Sequence, residues 1–145
     1  MSDFIFNIAK GAAAEMVRDS ASNLLVLLTK VDEAAAAQKD HDTVALLLAG
    51  TTDECDATDY VRKTGITGTV TVDDTNDRVD LDMPDQTWTG LGGATNNSLV
   101  GLIVAYENAA ADTTRVPIAH LDFVVTTDDT DVIAQLNASG FARFS

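Results

Sequence analysis

The sequence predicts an α+β fold, in which an N-terminal helix is followed by a mostly antiparallel β-sheet or small β-sandwich. Three observations predict it. The apolar residues Phe4, Ile5, Ile8, Ala12, Ala13, Met16 and Val17 recur at helical spacing. After Gly50 the chain turns to segments with β-branched content or two-residue alternation. Strands and helices do not alternate regularly, which argues against a doubly wound sheet.

Each element has a local reason. Asp3 is placed to cap the helix of residues 3–17, although Gly11 weakens it by up to ~1 kcal/mol relative to Ala. Asp19 to Asn23 supply turn chemistry, and the apolar run Leu24 to Thr29 reads as a fully buried, central strand. Ala34 to Ala37 have high helix propensity but little bulk to anchor a helix, so a loop with a helical turn fits equally well. Asp42 or Thr43 caps a short helix through Leu48, with Gly50 ending it as a C-terminal glycine.

Strands are expected at Tyr60 to Lys63, Thr67 to Val72, Arg78 to Met83, Leu99 to Glu107 and Arg115 to Val125. The second and third of these form a polar-faced hairpin with an acidic tip, and Pro84 ends its outgoing arm. Gly90 to Gly93 and Asn96 to Ser98 mark the clearest irregular region. Phe141 to Phe144 read as a terminal strand that completes the sheet or pairs with a neighbour.

One domain accounts most simply for 145 residues with only two prolines, and 46% apolar residues are enough for a core. Nine basic residues against 23 acidic ones give a formal charge of −14. That balance repels nucleic acid and disfavours an anionic membrane surface, whereas a basic protein partner would be attracted. Met1-Ser2-Asp3 lacks the basic start of a signal peptide, and no apolar run approaches membrane-spanning length. The lone Cys55 excludes an internal disulfide and a thiolate zinc site, and carboxylates beside it disfavour its thiolate.

The opening Asp3-Phe4-Ile5-Phe6-Asn7-Ile8-Ala9-Lys10-Gly11 resembles the start of small virion structural proteins of tailed bacteriophages. Similar blocks follow at Thr43 to Thr52, Arg62 to Thr67, Val72 to Arg78, Asp85 to Trp88 and Val116 to Ala119. The resemblance implies a capsid decoration, or cement, protein that binds the outer capsid shell and stabilises capsomer contacts. It implies the major capsid protein as partner, a homo-oligomer with a trimer preferred, and a place on the capsid exterior after synthesis in the host bacterial cytoplasm. A tail, collar or head-fibre component is the second reading. A carbohydrate-binding β module using Trp88, Tyr60 and Tyr106 is the third.

No catalytic residue, cofactor or metal is expected. His41 and His120 each have carboxylates nearby in sequence, but no Gly-x-Ser-x-Gly elbow positions a nucleophile, so the chain reads as a non-enzyme in which both histidines are replaceable. His41 is expected at an exposed helix start and His120 on the wetter face of a strand. The glycines at 90, 92 and 93 are not followed by Gly-Lys-Ser/Thr. The acidic sets Asp73, Asp74, Asp77, Asp80, Asp82 and Asp128, Asp129, Asp131 lack the EF-hand pattern and read as solvated faces and turns. Trp88 reads as a large core residue on a strand. Candidate assembly contacts are the apolar residues Phe4, Ile5, Ile8, Trp88, Phe141 and Phe144, with residues 3–17 as an assembly helix.

Overall fold

The computed structural model describes residues 3–6, 8, 15 and 23–144. Every strand pairing among them is antiparallel. The organising strand is β2 (Leu24–Val31), as its run of large apolar residues demands: Leu24 to Leu28 are all fully buried. A strand buried on both faces must be central. On one side it pairs with β8 (Ser98–Glu107), from Leu24 opposite Tyr106 to Thr29 opposite Gly101. On the other side two short strands share its edge: β4 (Lys63–Ile66) along its first half and β3 (Asp53–Glu54) along its second. β9 (Arg115–Thr126) lies beyond β8, and β1 (Phe4–Ile5) closes part of the outer edge of β9.

Two smaller sheets complete the body. The predicted hairpin is present as β5 (Thr69–Asp73) and β6 (Arg78–Asp82), joined to β11 (Ala142–Phe144) on the far side of β6. Its turn is held by the Asn76 backbone N–H and side-chain amide, both donating to Asp73. β7 (Gln86–Leu91) pairs with β10 (Thr130–Ala134) as a ribbon that buries Trp88, Leu91, Val132 and Ala134. The two helices with described bounds are short, α1 (Ala35–Gln38) and α2 (Val44–Ala49). Thr43 caps α2 by accepting from the Leu46 N–H at 3.2 Å. No helix among the described residues is long and apolar enough to cross a membrane.

The fold is therefore mostly β, which overturns the expected N-terminal helix followed by a sheet. Phe4–Ile5 is a strand, and Phe6 extends it through an N–H bond to the Ile118 carbonyl at 3.0 Å. Phe4 and Phe6, two residues apart, bring their rings to 5.4 Å, the same-side relation of extended backbone. An edge strand to join outweighed the helical spacing at Phe4 and Ile5, whereas Ile8 is helical. Apart from Ile8 and Glu15, the rest of the 3–17 assembly-helix assignment lies outside the described residues.

Smaller corrections follow from packing. Lys63 to Ile66, not Tyr60 to Lys63, forms the strand there, because Tyr60 is drawn inward to the middle of β2. Gly50 has φ of −79°, so left-handed backbone does not explain it. Space does: a Cβ there would stand 3.0 Å from a Glu33 carboxylate oxygen.

Candidate functional site

Two polar assemblies dominate the interior and its margins. The first begins at His120 on β9, opposite Ile103, with the side chain fully buried. Its Nε2 lies 2.9 Å from Asp32 Oδ2. The other Asp32 oxygen accepts from Gln38 Nε2 at 3.1 Å, and the same amide also reaches Thr52 Oγ1 at 3.1 Å. Thr52 Oγ1 accepts from the Glu33 N–H and stands 3.4 Å from Glu33 Oε1, which in turn meets His41 Nε2 at 2.5 Å. A continuous polar chain thus links the two histidines of the sequence.

Gly101 makes this chain possible. A Cβ at that position would stand 2.6 Å from His120 Nε2, 2.6 Å from Thr29 Oγ1 and 2.7 Å from Asp32 Oδ2. The polar atoms occupy the volume that any other side chain needs. Phe4 covers the imidazole from the sheet edge, its ring parallel within 4° and 4.9 Å away. Lys39 Nζ lies 5.1 Å from the Phe4 ring centre.

Burial pushes the Asp32 carboxyl upward, but the bond and charge of His120, with smaller contributions from its other polar neighbours, prevail and hold it below the ordinary carboxylate value. An ionised Asp32 can only accept, so His120 donates to it from Nε2 and turns Nδ1 away from it. That Nδ1 is buried without a partner, as is Gln38 Oε1. A general base needs a reactive proton within reach. Here the imidazole is fully buried beneath Phe4 of β1.

The second assembly is an ion-pair network at the margin. Arg62 donates to both oxygens of Glu54 at 2.7 and 2.6 Å and to Asp112 at 2.6 and 3.1 Å. Arg115 joins Asp112 at 2.7 Å to Glu107 at 2.6 Å. Tyr60 couples the network to the core: its hydroxyl donates to Glu54 at 2.8 Å and accepts from the Leu28 N–H at 3.0 Å. Burial first, then the Glu54 charge, pushes the Tyr60 hydroxyl far up. The Arg62 bond holds Asp112 below the usual carboxylate range despite partial burial.

The residues singled out from sequence lie apart. Phe4 is on the His120 ring and Ile5 is half-buried beside it on β1. Ile8 is 40% exposed. Trp88 is 2% exposed, with its indole N–H donating to the Val61 carbonyl at 2.9 Å and Lys63 over its ring. Phe141 is buried and Phe144 half-buried, both next to β6. Trp88 and Tyr60, named as sugar-stacking surfaces, face the interior.

His120 lies in the core, not on a wetter face. His41 is half-buried and paired, not simply exposed at a helix start. Burial is the largest force raising the Cys55 thiol, ahead of the neighbouring carboxylates that sequence had identified. Among the described residues no group of three or more His, Cys, Asp or Glu side chains is arranged to hold a metal ion. Asp131 instead accepts from the Gly90 N–H, and Asp128 from Thr130.

Arg62, Asp112, Glu54, Asp32 and Gln38 were missed as interacting residues. Arg62 and Asp112 are 50 positions apart and Asp32 and His120 are 88 apart, so no local spacing marks them. No family model, no curated protein and no solved structure matches this chain.

Proposed function

We propose that this chain is a bacteriophage capsid decoration protein that binds the outside of the major capsid shell and stabilises contacts between capsomers. The resemblance of its opening and later blocks to small tailed-phage virion proteins motivates the assignment. The structural observation that carries it is the Glu54–Arg62–Asp112–Arg115–Glu107 network. It ties the segment after β3 to the β8–β9 connection and, through Tyr60, to the central strand. This makes a stiff body, suited to a protein whose work is to hold a fixed shape against a shell.

Association is by a homo-oligomer, with a trimer preferred, through many modest contacts that gain strength from multivalency. The acidic surface, with net charge −14, keeps free protomers soluble and favours a basic partner surface. Cryo-electron microscopy of intact particles tests the reading. The expected result is density for this fold on the outer shell between capsomers. Density confined to the tail or collar, or none on the particle, would overturn it.

A further inference from the structure

The three-stranded sheet of β5, β6 and β11 has two unlike faces, because directly opposite residues of paired strands share a face. On one face the charges satisfy each other. Arg78 Nε lies 3.1 Å from Asp73, its cross-strand partner, and 3.2 Å from Asp80, while Arg143, opposite Asp80, donates to it at 2.7 Å. On the other face two apolar rows cross the strands, Val70–Leu81–Ala142 and Val72–Val79–Phe144. The first row meets the core, with Leu81 and Ala142 buried. The second overhangs it: Val79 and Phe144 are half-buried and Val72 is 59% exposed.

This overhanging row lines an open concavity of about 440 Å³ at the hairpin end, and Asp74 and Asp77 of the turn line it too. Unlike Asp73 and Asp80, these two carboxylates have no partner among the described residues. An apolar floor that ends at unpaired carboxylates matches a long basic side chain, which lays its stem on apolar surface and keeps its charge at the rim. A bare divalent ion fits less well, since among the described residues no third acidic or histidine side chain joins the two to hold a metal.

The chain is poorly placed to supply that cation itself. Lys30, Arg62, Arg78, Arg115 and Arg143 are in ion pairs, and Lys39 and Lys63 stand over aromatic rings. A second copy would also bring a further −14. We propose that the Val72–Val79–Phe144 row receives a lysine or arginine side chain from the basic surface of a partner protein, its stem over Val72 and Phe144 and its cation beside Asp74 and Asp77. The inference deepens the decoration reading and rests on it only in assigning that side chain to the capsid shell.

The test titrates two capped glycine-rich peptides into the isotope-labelled full chain, at a mildly acidic pH where both are fully charged. One carries two lysines; the other carries diaminopropionate in their place, with equal charge and almost no stem. The expected result is tighter binding of the lysine peptide, with shifts at the Val72 and Val79 methyls and the Phe144 ring. Val72→Thr keeps a β-branched side chain but replaces a methyl by a hydroxyl, and should weaken the lysine peptide about twofold to fourfold while leaving the other unchanged. Asp74→Asn with Asp77→Asn should weaken the lysine peptide about threefold to tenfold, and asparagine suits the φ of +50° at residue 77. Asp42→Asn with Asp59→Asn removes the same charge elsewhere and should change binding less than about twofold at physiological salt. A thermal melt of each variant confirms folding.

Equal binding of the two peptides, equal losses in the two double variants, or shifts confined to other surfaces would overturn the assignment. So would a wild-type oligomer that the Asp74→Asn, Asp77→Asn variant dissociates, since a second copy would then fill the row. Co-sedimentation with capsids lacking the protein separates the two readings. If wild-type protein stays off capsids while the lysine peptide still binds the row, the decoration reading fails and the row stands. If wild-type protein and the folded Asp74→Asn, Asp77→Asn variant decorate equally, the row proposal fails and decoration stands.

Discussion

The Asp32–His120 pair and the Arg62–Asp112 pair join distant parts of the chain by the same kind of bond, yet they sit in opposite settings. His120 and Asp32 side chains are 0% and 5% exposed, whereas Arg62 and Asp112 are 20% and 31% exposed. In the first, both side chains are shielded from solvent and Asp32 depends on His120 and Gln38. In the second, water and salt stand ready to replace a lost partner. The buried pair thus governs whether the core closes in one arrangement, and the marginal network adds stiffness that solvent moderates.

Removing one side of the buried pair should have the largest effect. His120→Ala leaves Asp32 buried beside a cavity and strips Phe4 of its stacking partner, so a loss of about 3–5 kcal/mol is expected in denaturant melts. That revises the expectation that this histidine is dispensable. A loss under 1 kcal/mol would place the pair with the surface network and break the comparison. Gly101→Ala should cost about 1–3 kcal/mol by overpacking, because three polar atoms already occupy the space of its Cβ.

The marginal network should respond differently. Arg62→Met is expected to cost about 1.5–3 kcal/mol at low salt, the range for hydrogen bonds to charged groups, and less as salt is added. The cost of His120→Ala should hardly change with salt. Equal salt dependence in the two melts would remove the distinction drawn from burial.

Acid adds a further contrast. Asp32 and Asp112 both have carboxyls held below the ordinary value in the folded state. Their contribution is therefore complete above the unfolded carboxylate pKa of about 4 and is lost as pH falls through the lower folded values. Asp112→Asn should flatten the acid limb of the stability curve, measured by melts from neutral pH downward. Its unchanged slope would show that the Arg62 and Arg115 bonds contribute little. The smallest effect is expected at Thr43, where Ala should cost about 1 kcal/mol by removing the cap of α2.

Much of the β framework was legible in the chain. Leu24 to Thr29 announced a central strand, Thr69 to Met83 a hairpin, and Asp42 or Thr43 a helix cap, of which the structure uses Thr43, because each signal is complete within a few residues. The opening was misread although its alternation was present: Phe4 and Phe6 lie two apart, but Phe4, Ile5 and Ile8 also satisfy a helical period. A segment this short fits both patterns, and an available edge on β9 decides between them.

By itself, then, the sequence determined an acidic, core-forming chain with a buried central strand and a polar hairpin, since composition and short-range alternation are properties of neighbours. Only the tertiary structure decided that Phe4 is strand, that His120 is core and that Gly101 must lack a side chain. The physical reason is desolvation at long range. Asp32 and His120 acquire their roles when folding removes water from both and leaves each the other's partner across 88 residues, an event that neither local sequence records.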